Sequence, residues 1–107
     1  MEGFWTVQFT GVQGFGFGVV TLVGGQVYGG DSAFIYTGTY TTQENTLKAR
    51  VHVQRGAPGV QSVMGRDQFD LELTGNLQGN SITSNGSIPG TPLRFQAMLT
   101  KRGDLPR

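Results

Sequence analysis

Apolar and polar positions alternate with a period of two along almost the whole chain, and a helical period of 3.6 is sustained nowhere. Trp5, Val7 and Phe9 alternate with Phe4, Thr6, Gln8 and Thr10, which predicts a first strand over 4–10. Gly11-Val12-Gln13-Gly14 turns the chain. A second strand over 15–22 sets Phe15, Phe17 and Val19 on one face and Gly14, Gly16 and Gly18 on the other. Gly24-Gly25 is a two-residue hairpin signal, because glycine accepts the positive φ that primed turns need. A short third strand covers 26–29. Gly30-Asp31-Ser32 breaks it, and a fourth over 34–41 sets Tyr36, Gly38 and Tyr40 on one face.

Gln43-Glu44-Asn45 is a polar turn. Leu47, Ala49, Val51 and Val53 then alternate with Lys48, Arg50, His52 and Gln54, a fifth strand with one wet face. The connection over 55–67 is the longest. Phe69, Leu71 and Leu73 alternate with Asp70, Glu72 and Thr74 in a sixth strand. Leu77-Gln78-Gly79-Asn80 turns, with Gly79-Asn80 expected as a type I′ pair. A seventh strand covers 81–88. Pro89-Gly90-Thr91-Pro92 turns again, and Leu93, Phe95, Ala97 and Leu99 define the inner face of an eighth. Residues 101–107 read as a frayed tail.

Short strands joined by hairpin-length links form an antiparallel meander. Left flat, eight strands expose two aggregation-prone edges, and closing the meander removes both. The fold expected is therefore all-β: an eight-stranded antiparallel up-and-down β-barrel in a single domain over 1–102, with a flexible C-terminal tail over 103–107. Glycines at 14, 16 and 18 allow tight coiling or the close approach of a neighbour's aromatic ring. Pairing of strands five and six places His52 opposite Asp70 and Arg50 opposite Glu72 on the outer face. Such pairs contribute roughly 0.2–1 kcal/mol each, enough to favour a register but not to create a fold.

Composition narrows the function classes. Of 107 residues, 36% are hydrophobic and 18 are Gly, but seven Phe, three Tyr and one Trp lie in strand-patterned runs, which argues against disorder. A net charge of +1 gives neither the clustered basic face of a nucleic-acid binder nor a polybasic membrane anchor. Cysteine is absent, which excludes disulfides, thiolate metal sites and a Cys nucleophile. A small secreted domain often relies on disulfides, so a cytoplasmic location is expected. The start, Met1-Glu2-Gly3-Phe4-Trp5, has no basic and apolar signal pattern, and the apolar run over 17–23 is too short to span a bilayer.

Catalytic groupings are scarce. His52 is the single histidine, and on a wet sheet face beside Asp70 it gains little as a base, so no enzyme activity is expected. One histidine and scattered carboxylates do not make a zinc site. Asp67, Asp70 and Glu72 lie along a strand rather than around a calcium-type turn, so neither metal nor cofactor is expected. Gly14-Phe15-Gly16-Phe17-Gly18 lacks the Lys and the following helix of a phosphate loop and reads as barrel curvature. In the long connection, Val60, Val63 and Met64 are apolar where a plain connector is polar. They either plug one barrel end or line a partner or ligand site. Asp31 and Ser32 bond the local backbone at the break or line the barrel mouth. Tyr36 and Tyr40, facing inward, need hydroxyl partners and are placed to bond a ligand head group; facing outward, they form a dimer patch.

Gly29-Gly30-Asp31-Ser32, followed by Tyr36-Thr37-Gly38-Thr39-Tyr40, resembles the GrlR-like family, named for a negative regulator of type III secretion in enteric bacteria. The likeness extends to Gly3-Phe4-Trp5, the hairpin over 18–27 and Val51-His52-Val53. It implies a bacterial, calycin- or lipocalin-like barrel that dimerises and binds a transcriptional regulator. The founding member captures its partner with four alternating acidic residues just after the Tyr-Gly strand. Here those positions are Thr42-Gln43-Glu44-Asn45, with Glu44 alone acidic, and that site does not carry over.

Two function classes follow. The first is a non-enzymatic, homodimeric regulator acting by protein–protein contact. The second is a carrier holding a small apolar or lipid-like ligand in the barrel. An interior filled by Trp5, Phe9, Leu71 and Phe95 removes the second; a cavity keeps it. The contact residues expected across both readings are Asp31, Ser32, Tyr36, Tyr40, Glu44, Val60, Val63 and Met64.

Overall fold

The computed structural model describes residues 1–11, 14–56 and 68–106. Eight strands follow in order: β1 (Gly3–Gly11), β2 (Gly14–Val23), β3 (Gln26–Gly30), β4 (Phe34–Gln43), β5 (Thr46–Arg55), β6 (Gln68–Gln78), β7 (Ser81–Ser87) and β8 (Arg94–Gly103). Each pairs antiparallel with the next, and β1 pairs with β8 to close the barrel. The all-β, up-and-down barrel expected from the alternation is the fold, and calycin-like describes its shape.

Parity decides which residues face inward. Trp5, Leu22, Val27, Leu47, Val53, Ile82, Phe95 and Leu99 are all buried. Lys48, Arg50, Asp70 and Glu72 stand outside. The β5–β6 register matches the expected one: Arg50 faces Glu72 and His52 faces Asp70. Arg50 Nη1 lies 3.3 Å from Glu72 Oε2, and His52 Nδ1 lies 2.7 Å from Asp70 Oδ1.

Three local readings are corrected. Residues 101–103 are not tail: Lys101 pairs with Trp5 and Gly103 with Phe4, because the start of β1 needs a partner to close the wall. β6 runs on to Gln78, so its turn shrinks to Gly79-Asn80. That turn is not type I′, since Gly79 alone takes a positive φ (62°), whereas type I′ requires one at both central residues.

An up-and-down barrel has two unlike ends. At one, two-residue turns join β2 to β3, β4 to β5 and β6 to β7. Trp5 seals this side from within: it is 1% exposed, and its indole N–H donates to the Met1 carbonyl at 3.1 Å. The other end carries the longer links, among them the Asp31–Ala33 corner, the β5–β6 connection and the loop from Ile88 to Leu93.

Candidate functional site

The interior is not filled. An apolar cavity of about 250 Å³ runs along the barrel axis, lined by Val7, Phe9, Val51, Phe69, Leu71 and Leu73 among others. Trp5 and Phe95 are buried, but Phe9 and Leu71 only partly cover the space between the walls. Eight strands enclose about this much room when their inward side chains do not meet at the axis.

The polar groups of the lining come from one corner. Asp31, Ser32 and Tyr36 all reach the cavity, and all belong to the β3–β4 link or the start of β4. Asp31 builds the corner itself. Its amide N–H donates to the Phe34 carbonyl at 3.0 Å, and its Oδ1 accepts the amides of Ala33 and Phe34, both at 2.9 Å. A short carboxylate bonding the backbone two and three residues on is what makes Asp a turn residue. Asp31 Oδ2 accepts the Tyr36 hydroxyl.

Tyr36 points inward, as Tyr-Gly-Tyr parity allows, and is 8% exposed. Its ring meets Phe9 edge-on, with centroids 6.3 Å apart and planes at 77°. Burial holds the phenol far above its ordinary range. The hydrogen bond to Asp31 and the negative charge of that carboxylate raise it further. The hydroxyl is therefore neutral and stays a donor to Asp31. Among the described residues no buried side-chain nitrogen or oxygen lacks a partner, so this corner is satisfied before any ligand arrives.

The other candidate residues go elsewhere. Tyr40 packs partly buried against the core, and its backbone N–H bonds the Gly25 carbonyl at 2.9 Å, on the tight-turn side of the barrel. Glu44 is exposed in the β4–β5 turn on that same side. Tyr36 and Tyr40 share strand parity but not the cavity. Val60, Val63 and Met64, expected to plug an end or line a site, lie outside the described residues, as does Asp67. Asp70 and Glu72 are taken up by His52 and Arg50.

Two features escaped the sequence reading. One is the Asp31–Tyr36 bond: the five-residue spacing crosses the turn, so no strand or helix period signals it. The other is Arg55, whose guanidinium carbon sits 4.9 Å from the Phe34 ring centroid, a cation–π distance. Comparison of the sequence with known protein families and with curated proteins finds no match.

Proposed function

We propose that the protein is a non-enzymatic binding barrel that takes a small apolar ligand into its interior. The observation that carries this reading is the cavity of about 250 Å³, walled by aliphatic and aromatic side chains with polar groups gathered at one corner. That distribution suits ligand binding, in which apolar area supplies affinity and a few polar groups fix orientation. Outward charges on β5 and β6 support operation in water, since a lipid-facing wall carries an apolar band instead.

The test is titration with a solvatochromic apolar dye. Wild type is expected to bind it with a blue-shifted emission. Ala49→Leu, which adds three carbons to the cavity wall, is expected to fold and to lose most of that signal. Equal binding by both proteins, or none by either, contradicts the reading.

A second reading is the GrlR-like one, regulation through protein contact as a homodimer. It is favoured by the outer wall of β1–β4, with Met98 of β8 beside it between the outward Arg94 and Arg102. Between residues 3 and 43 Asp31 alone is charged, and Phe17, Tyr28, Ile35 and Met98 are exposed on neighbouring strands. Strands β1–β4 carry no charged residue, and such a wall with apolar side chains suits self-association. Sedimentation velocity tests it: Phe17→Lys is expected to turn a dimer into a monomer, and a wild-type monomer at high concentration contradicts it.

A further inference from the structure

We propose that the cavity selects apolar ligands by head group, taking a hydrogen-bond-donating head, an alcohol or a protonated amine, and refusing a carboxylate. The inference rests on the interior-binding reading above and adds to it the chemistry of the ligand.

Among the described residues, the polar corner is almost all acceptor. Asp31 Oδ1 is filled by two backbone amides, and Oδ2 takes the Tyr36 proton. A carboxylate offers about four lone-pair directions, so Oδ2 keeps capacity for one further donor. Tyr36 has spent its single proton on Asp31, and its oxygen presents lone pairs only. Ser32, exposed at the corner, has the remaining hydroxyl of this group. A ligand head arriving here meets a negative charge and acceptors, with one small donor to set against them.

A carboxylate head then places two like charges side by side at the half-buried Asp31, which is unfavourable. An alcohol donates one proton to Asp31 or Tyr36. An ammonium head does the same with charge assistance. Among the described residues, Arg55 ends β5 at this end of the barrel. Its guanidinium lies over Phe34, and it is not among the residues lining the cavity.

Size sets the chain. A dry cavity of about 150 Å³ accommodates benzene, so one of this size takes on the order of ten non-hydrogen atoms. Chains of eight to ten carbons are the suitable probes.

The experiment displaces the bound apolar dye with decanol, decylamine and decanoate at pH 7. Decanol and decylamine are expected to displace it at concentrations about tenfold or more below decanoate. Asp31→Asn keeps an oxygen for the amides of Ala33 and Phe34 and removes the charge. It is expected to bring decanoate to within a few-fold of decanol. Decanoate competing as well as decanol in wild type overturns the selectivity while leaving interior binding intact. Failure of the dye to bind at all overturns the interior-binding reading itself. Should Asp31→Asn fail to fold, the wild-type order of the three competitors decides alone.

Discussion

The Tyr36 ring occupies the space that a side chain on Gly18 would need. A Cβ at position 18 would stand 3.0 Å from the phenolic oxygen, 3.1 Å from Cε2 and 2.9 Å from the Gly30 carbonyl oxygen. Gly18 is thus the floor on which the cavity's tyrosine rests. Gly18→Ala forces the ring and the β3 backbone to move, and the Asp31–Tyr36 bond moves with them. Overpacking of this kind costs about 1–3 kcal/mol. Urea denaturation is expected to show that loss, and Gly18→Val a larger one. An unchanged midpoint for Gly18→Val contradicts the placement of Tyr36.

Alkaline pH is expected to weaken the fold through Tyr36. In the unfolded chain its phenol titrates near 10, and in the folded chain far higher. Above pH 10 the unfolded chain has released a proton that the folded chain keeps. The unfolded state then binds fewer protons, and stability falls as pH rises. This group's contribution is whole below pH 10 and is lost progressively as pH rises toward its folded value. Tyr36→Phe is expected to lower stability at pH 8 by about 1–3 kcal/mol, since it removes a hydrogen bond to a charged partner. It is also expected to flatten the decline between pH 10 and 11.5. Parallel declines in the two proteins contradict the assignment.

Glu44 holds a φ of 57°, the single non-glycine residue with positive φ among those described. The reason is geometric. Gln43 pairs with Thr46, which leaves two residues to turn the chain, and a turn that short needs the primed conformations. The equivalent turns use Gly24 and Gly79, at φ 58° and 62°. A left-handed conformation costs an ordinary residue about 1–2 kcal/mol, and glycine gives back part of the gain through its looser unfolded state. Glu44→Gly is expected to raise stability by roughly 0.5–1 kcal/mol, read from thermal or urea melts. A loss of stability contradicts this account.

The outer Arg50–Glu72 ion pair, like the His52–Asp70 hydrogen bond beside it, is expected to contribute little. The Arg50 and Glu72 side chains are 64% and 50% exposed, so water and salt screen them. A double-mutant cycle with Arg50→Ala and Glu72→Ala is expected to give a coupling under about 1 kcal/mol, falling further in high salt. A larger, salt-independent coupling would show that the pair is a structural anchor rather than a register mark.

Those same pairs explain what the sequence made legible. On β5 and β6 the apolar residues keep one parity and the charges the other, so alternation and charge complementarity give the same register independently. β2 was harder. Its apolar set changes parity at Val19-Val20, and large Phe17 suggests an inward face by size. The structure turns Phe17 outward, 57% exposed, because Gly18 must lie beneath Tyr36 and Val20 and Leu22 continue that inner face. The candidate site was half legible. Turn chemistry marked Asp31 and Ser32, and parity grouped Tyr36 with Tyr40. Position along the barrel axis separates the two tyrosines, and no periodicity carries that information. Nor does alternation reveal whether inward side chains meet, since a filled interior and a hollow one share the same pattern.

The hollow interior carries the ligand-binding function, and xenon tests it directly. Apolar cavity space of this size admits xenon. In methyl-resolved NMR under xenon pressure, saturable shifts are expected at Val7, Val51, Leu71 and Leu73, with exposed Val19 serving as the outer-wall control. Interior methyl groups that respond no more than Val19 would mean a filled barrel, and the binding function proposed for it would fall.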